Sequence, residues 1–193
     1  MISAIVLAAG LSSRTKQYNK LLLSYKKKKL IQHAVQNILE SNIEYVIIVM
    51  GNDKNKIKKV IPHQDNIKII YNENYKSGMA SSIKAGLEYL PKETSHFFIV
   101  LADMPEVKRN HYNKMILATK KNKKVPVVPY VNSQQVNPVL FSKHFIQKLK
   151  SLRGDRGAKK ILQNEKKIKV IFKDKALMKD LDSLEDFKQY NQK

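Results

Sequence analysis

The sequence predicts an α/β protein with a mostly parallel sheet covered by helices on both faces. Three observations carry this. Short runs nearly continuous in apolar residues recur at Ser3–Leu7, Tyr45–Met50, Ile67–Tyr71, His96–Leu101, Val125–Pro129 and Ile168–Phe172. Such strands are buried on both faces, as in parallel sheets. Stretches with helical apolar spacing lie between them. No repeat, Gly/Ser linker or composition break interrupts the 193 residues, so a single domain over 1–193 is expected.

The first run, Ile2 to Leu7, reads as a buried strand that stops at Ala8, Ala9 and Gly10. The next helix, Leu30–Leu39, has apolar residues at 30, 31, 34, 35, 38 and 39. Lys54–Ile61 and Ala80–Leu90 repeat that spacing, and Asn110–Thr119, His144–Leu149 and Ala158–Leu162 complete the helices. In open sheets of this kind, ligands bind beyond the carboxyl ends of the strands.

Composition narrows the class. Hydrophobic residues make up 42% of the chain, enough for a substantial core. There is no cysteine, hence no disulfide and no thiolate chemistry. No apolar run approaches the roughly 20 residues of a membrane span. No basic leader or cleavage site precedes the first strand. A cytoplasmic protein without membrane contact is the expectation. The net charge of +21 invites a nucleic-acid reading. Arginine stands only at 14, 109, 153 and 156, however, so nearly all of the 37 basic residues are lysines, spread along the chain. Nucleic-acid readers lean on arginine and aromatic platforms, and this chain has no Trp. Nucleic acid is set aside as a partner. The runs Lys26–Lys29, Lys120–Lys124 and Lys166–Lys169 read as solvated loop or strand-edge charge. The excess charge still attracts anionic substrates over long range.

The richest stretch is residues 5–20. The first strand opens into Ala8, Ala9 and Gly10, then the hydroxyls of Ser12 and Ser13, then the cations Arg14 and Lys20. Bare backbone N–H groups in a small-residue turn suit an anion, and fixed cations add charge where phosphates would lie. A nucleoside triphosphate is the natural ligand. The pattern is not a P-loop, since no Gly-Lys-Ser/Thr follows the glycine, and one glycine is too few for a dinucleotide fingerprint. A plain tight turn is the alternative.

Asp103 follows a buried strand in Leu-Ala-Asp-Met-Pro. A carboxylate there either binds magnesium or serves as a turn or cap residue. Asp180, Asp182, Glu185 and Asp186 are a local acidic cluster, readable as a second metal carboxylate at Asp182 or as first-turn helix acids. Gly78, Ser81 and Ser82 sit at a predicted helix start, suited to holding a base or phosphate or to plain capping. Asn137-Pro138-Val139-Leu140-Phe141 and Leu152-Arg153-Gly154-Asp155-Arg156-Gly157-Ala158 are the remaining loop candidates. The second is either a phosphate site or a helix joint with Asp155 as cap. The five histidines show no metal spacing.

In order and spacing these segments resemble the MobA-like nucleotidyltransferases, most of all the molybdenum cofactor cytidylyltransferases. The resemblance rests on Leu7 to Arg14 with Lys20 to Leu23, Gly78 to Ser82, Ala102 to Pro105, Asn137 to Phe141, Gly154 to Ala158 and Asp180 to Asp186. It implies a three-layer Rossmann-like fold of glycosyltransferase-A type, and attack by a substrate phosphate on the α-phosphorus of an NTP with release of pyrophosphate. On that likeness Arg14, Lys20 and Asp103 are catalytic. Leu7, Ala8, Ala9, Gly10, Ser12, Ser13, Gly78, Ser81 and Ser82 bind the nucleotide. Asn137, Pro138, Arg153, Gly154 and Asp155 bind the acceptor, and Asp103 and Asp182 hold Mg2+.

The resemblance also implies CTP as donor, because GTP users in the family usually read Ala-Gly-Gly where this chain has Ala8-Ala9-Gly10. The implied acceptor is a molybdopterin-type phosphate, and a client molybdoenzyme is a partner to consider. GTP, a sugar or polyol phosphate acceptor, and a non-catalytic basic nucleic-acid-binding or assembly protein are the competing readings. Two departures from the family pattern stand out. Five residues, Thr15 to Asn19, separate Arg14 from Lys20, and Val136 stands where a glycine is usual before Asn-Pro. Val136 is expected to be strained if its turn requires positive φ.

Overall fold

The computed structural model describes residues 1–10, 18–155 and 157–178. Ten strands and five α-helices follow in chain order among these residues: β1 (Ile2–Ala8), β2 (Ser24–Tyr25), β3 (Lys28–Lys29), α1 (Leu30–Leu39), β4 (Tyr45–Met50), α2 (Lys54–Lys58), β5 (Ile67–Tyr71), α3 (Met79–Glu88), β6 (His96–Leu101), α4 (Arg109–Ala118), β7 (Val127–Val131), β8 (Gln134–Gln135), β9 (Val139–Ser142), α5 (Ile146–Lys150) and β10 (Ile168–Ile171).

The main sheet runs β10-β7-β9-β6-β1-β4-β5, with β8 paired to β7. Its centre is the first apolar run of the chain. β1 pairs in parallel with both β4 and β6, so Val6 lies between Ile48 and Val100, and Leu7 between Val49 and Leu101. β5 continues the parallel set beside β4. β9 enters the other way, antiparallel to β6 and β7, while β10 again runs parallel to β7. The sheet is therefore mixed but mostly parallel, as the Ile/Val/Leu runs predict.

Alternation along the strands sorts the core into two layers. Ala4, Val6 and Ala8 of β1 face the side covered by α1 and α4, packing with Leu30, Ile31, Val35, Ile38, Tyr112 and Met115. Ile5 and Leu7 face the side of α3 and α5, packing with Ile83, Leu87, Phe145 and Leu149. Both faces of β1 are thus buried, which is why the run shows no polar alternation. On the second side α3 comes unusually close to the sheet at Gly86. A Cβ added there would lie 2.4 Å from Ile5 Cγ2.

Three local features depart from the sequence-based expectation or decide between its alternatives. The Val139–Ser142 segment is a fully buried strand rather than a loop. Pro138 lies just ahead of it, where proline removes no ladder hydrogen bond. In the lysine run 26–29 loop and strand edge are both present: β2 and β3 form a hairpin with Lys26 (φ 43) and Lys27 (φ 68) as its two-residue turn. Both central residues have the positive φ of a type I′ turn, which lysine seldom takes, so no turn signal is visible in the sequence. The Ala158–Leu162 helix is a 3-10 turn over Ala158–Lys160.

Candidate active site

Because β1, β4, β5 and β6 are parallel, their carboxyl ends open on one side of the sheet. Most of the residues singled out in the sequence converge there. The amide of Ala102 donates to the Leu7 carbonyl at 3.3 Å, so the β1–β6 pairing extends into the turn that carries Asp103. Lys20 reaches that turn from the segment after β1. Its Nζ donates to Asp103 Oδ2 at 2.6 Å, and both side chains are less than one-fifth exposed. The neighbouring Asn19 sets the 3-10 turn Lys20–Leu22. Its buried side chain accepts from the Leu21 amide at 3.1 Å and reaches toward the Asn52 carbonyl after β4.

The second oxygen of Asp103, Oδ1, is shut from solvent and has no hydrogen-bond partner among the described residues. An orphaned carboxylate oxygen is costly unless something else comes to it. Among the described residues no group of three or more His, Asp or Glu side chains gathers as a metal centre.

Leu7 is partly exposed, whereas the side chains of Ala8 and Ala9 are buried. Gly10 is exposed, with nothing among the described residues within 4 Å of where a Cβ would lie. Ser12, Ser13, Arg14, Asp180 and Asp182 lie outside the described residues.

Gly78 (φ 104) closes the turn before α3. It packs against the backbone of a segment far along the chain: a Cβ there would meet the Gly154 carbonyl carbon at 2.5 Å and the Asp155 nitrogen at 2.7 Å. Two further contacts tie these segments. The Ala80 amide donates to the Gly154 carbonyl at 3.0 Å, and the Met79 amide to Asp155 Oδ1 at 3.3 Å. Asp155 is therefore a cap, but for α3 rather than for a helix next to it in sequence. Two of the amides at the start of α3 are taken by protein groups. Arg153 stays exposed, and Arg156 lies outside the described residues.

Ser81 and Ser82 are held by a residue that sequence reasoning missed. Asn72, buried just after β5, donates to Ser81 Oγ at 2.8 Å and Ser82 Oγ at 3.1 Å. Its Oδ1 accepts from the Asn74 amide at 3.0 Å. The available signal was a polar residue ending the apolar run Ile67–Tyr71 where the next segment must turn.

Asn137 and Pro138 reach this side of the sheet through strand direction. Val139 pairs with Ile99 in antiparallel register, so the residues ahead of β9 lie beside the carboxyl end of β6. Pro138 is buried, and the Asn137–Pro138 bond is cis. Val136 carries no positive φ; the residues that do in this region are Asn132 and Ser133 in the β7–β8 turn. The strain expected at Val136 is absent because the turn is made elsewhere.

A second missed group flanks Asp103. Glu106 accepts hydrogen bonds from the Tyr25 hydroxyl and, at 2.8 Å, from Lys26 Nζ. Burial and the bond to Glu106 push the Tyr25 phenol up to about 12. Burial works to raise the Glu106 carboxyl, but the hydrogen bonds from Lys26 and Tyr25 outweigh it, and its pKa lies below the ordinary value.

An open, mostly parallel sheet with a lysine–carboxylate pair and a glycine-led helix start at its carboxyl edge defines a Rossmann-like nucleotide-handling enzyme. The model of the MobA-like NTP transferase domain matches residues 4–169, and the chain belongs to that family. It is a nucleotidyltransferase of MobA-like type. It is 30% identical over 142 residues to the molybdenum cofactor cytidylyltransferase of Escherichia coli, covering 74% of this chain and 70% of that one. The Mycobacterium tuberculosis protein Rv0371c superposes with a TM-score of 0.87 at 20% identity, over 100% of this chain and 98% of that one. A structure of the same protein in complex with manganese superposes with a TM-score of 0.81 at 18% identity, over 98% and 97%. Molybdopterin-guanine dinucleotide biosynthesis protein A from Archaeoglobus fulgidus superposes with a TM-score of 0.71 at 16% identity, over 98% and 97%. No helix among the described residues is long and apolar enough to cross a membrane.

Proposed function

We propose that this chain transfers CMP from CTP to the phosphate of a molybdopterin-type acceptor and releases pyrophosphate. The observation that carries the reading is the Lys20–Asp103 pair at the joined carboxyl ends of β1 and β6. An acceptor phosphate oxygen attacks the α-phosphorus of CTP. The new P–O bond forms as the bond to the β-phosphate bridging oxygen breaks, and that oxygen keeps the electron pair and leaves as pyrophosphate. The attacking phosphate is already ionised, so no general base is needed. Such chemistry rests on positioning and charge neutralisation.

In this scheme Lys20, with Arg14, neutralises the triphosphate. Ser12, Ser13 and the backbone at Gly10 cradle it, Leu7 to Ala9 edge the base, and Ser81 and Ser82 stand nearby. Asn137 and Pro138 lie on the acceptor side with Arg153. Gly154 and Asp155 serve that side indirectly, by holding Gly78 and the start of α3. Asp103 Oδ1, without a donor among the described residues, suits a hard cation, which takes one or two carboxylates plus phosphate oxygens. Asp103, with Asp182 as a second carboxylate, would hold Mg2+, which supplies charge neutralisation at the triphosphate. Cytosine is favoured by Ala9 in the first loop and by the name of the Escherichia coli relative.

The test is pyrophosphate release with CTP, GTP or UTP, magnesium, and either molybdopterin or a sugar phosphate as acceptor. CTP with molybdopterin is expected to turn over fastest. A preference for GTP, or for the sugar phosphate, overturns the corresponding half of the assignment.

A further inference from the structure

The Lys20–Asp103 contact joins two segments that both lie outside the main sheet. A lysine on its flexible four-carbon stem does not by itself hold two loops in register. The structure contains a second tie between the same segments. Tyr25, five residues after Lys20, is 1% exposed and donates its hydroxyl proton to Glu106, three residues after Asp103. Lys26 Nζ donates to the same carboxylate oxygen at 2.8 Å, and Lys108 Nζ lies 3.9 Å from the other.

Helix α1 backs both segments from one face. His33 Nε2 bonds the Tyr25 carbonyl at 2.6 Å, with its ring edge-on to Tyr25 at 5.2 Å. Asn37 Nδ2 donates to the Pro105 carbonyl at 2.8 Å. His33 and Asn37 are one helical turn apart and so lie on the same stripe of α1. The helix works as a ruler. One turn of it fixes the spacing between the hairpin that follows Lys20 and the loop that carries Asp103, and Tyr25–Glu106 closes the gap between them.

We propose that Glu106 is a positioning residue for nucleotidyl transfer. Through Tyr25, and against α1, it holds the Lys20 segment and the Asp103 loop at one separation. Lys20 and Asp103 then meet the triphosphate already in register. The inference rests on the reading of Lys20 and Asp103 as the active pair. Its chemistry is preorganisation: an error of about 1 Å in such a site costs on the order of a hundredfold in rate.

The test uses the full chain with Glu106→Gln, Tyr25→Phe, the double variant, and Lys20→Met as control. With saturating acceptor, each clamp variant is expected to lose roughly tenfold to a hundredfold in kcat. The KM for CTP should stay within about twofold of wild type, because the nucleotide contacts themselves remain. The double variant should be no slower than the worse single one, since both break one tie. Hydrogen exchange supplies a readout independent of turnover. Peptides spanning 19–29 and 101–108 should both exchange faster in either single variant.

Normal kcat in both clamp variants beside an inactive Lys20→Met overturns the clamp alone. Faster exchange confined to the substituted segment, multiplicative losses in the double variant, or a kcat loss matched by the fraction unfolded at the assay temperature also overturns it. A Lys20→Met enzyme that turns over like wild type sinks the active-pair reading, and the clamp with it.

Discussion

Lys20 Nζ lies 2.6 Å from Asp103 Oδ2, a contact between residues 83 positions apart. It forms because β1 and β6 are neighbours in the sheet and parallel, which brings their carboxyl ends together. Replacing Asp103 by Asn keeps the shape and removes the charge. Turnover is expected to fall by roughly a hundredfold or more, the scale of losing a preorganised charge at a reacting phosphate. Pyrophosphate release at saturating nucleotide checks this, with circular dichroism confirming the fold.

Gly78→Ala meets two obstacles at once. The φ of 104 is unfavourable for alanine, and its Cβ would press on the Gly154 and Asp155 backbone. A stability loss of about 1–3 kcal/mol is expected from the strained backbone, read as a lower urea midpoint. The same change should raise the KM for nucleotide, because the Gly78 turn and the start of α3 shift together.

Asp155 accepts from the Met79 amide, so Asp155→Ala removes a cap from α3. The cost should be about 0.5–2 kcal/mol, with Asp155→Asn retaining most of the stability. Urea unfolding of the two variants side by side separates a capping role from a purely charged one.

Asn72→Ala leaves the buried Ser82 hydroxyl and the Asn74 amide without their partner. A loss of about 1–3 kcal/mol is expected for orphaned buried polar groups. Thermal unfolding measures it, and the nucleotide KM should rise if Ser81 and Ser82 line the site.

Burial pushes His33, His96 and His111 below their ordinary 6.5; the Asp174 carboxylate near His111 works the other way without reversing it. The folded protein then binds fewer protons at these sites than the unfolded chain. Their contribution is fully present above pH 6.5 and is lost as pH falls below it toward the lowered folded values. The urea midpoint should therefore be lower at pH 5.5 than at pH 7.5. Replacing the three histidines by Gln should flatten that difference.

The apolar runs and helical spacings made the layers legible, because burial on two faces leaves a direct mark in the sequence. Strands such as Tyr45–Met50, Ile67–Tyr71 and His96–Leu101 form where the pattern predicts. β9 was not legible, since four buried residues behind a proline carry no period long enough to read. Of the candidate site, Lys20, Asp103, Gly78, Ser81 and Ser82 were nameable from their loops. Asn72, Tyr25 and Glu106 could not, because each matters only for what it meets across the fold.

By itself the sequence determined which segments bury and which turn, and so the α/β layering and the loops of the candidate site. Those properties are local: a run of Ile and Val, or a glycine before a helix, has the same consequence wherever it sits. The tertiary structure alone decided the partners. It pairs Lys20 with Asp103, makes Asp155 the cap of α3, and turns β9 antiparallel so that Asn137 and Pro138 arrive beside β6. Strand order and direction follow from how two faces of one sheet are covered together, a collective packing outcome that no single segment encodes.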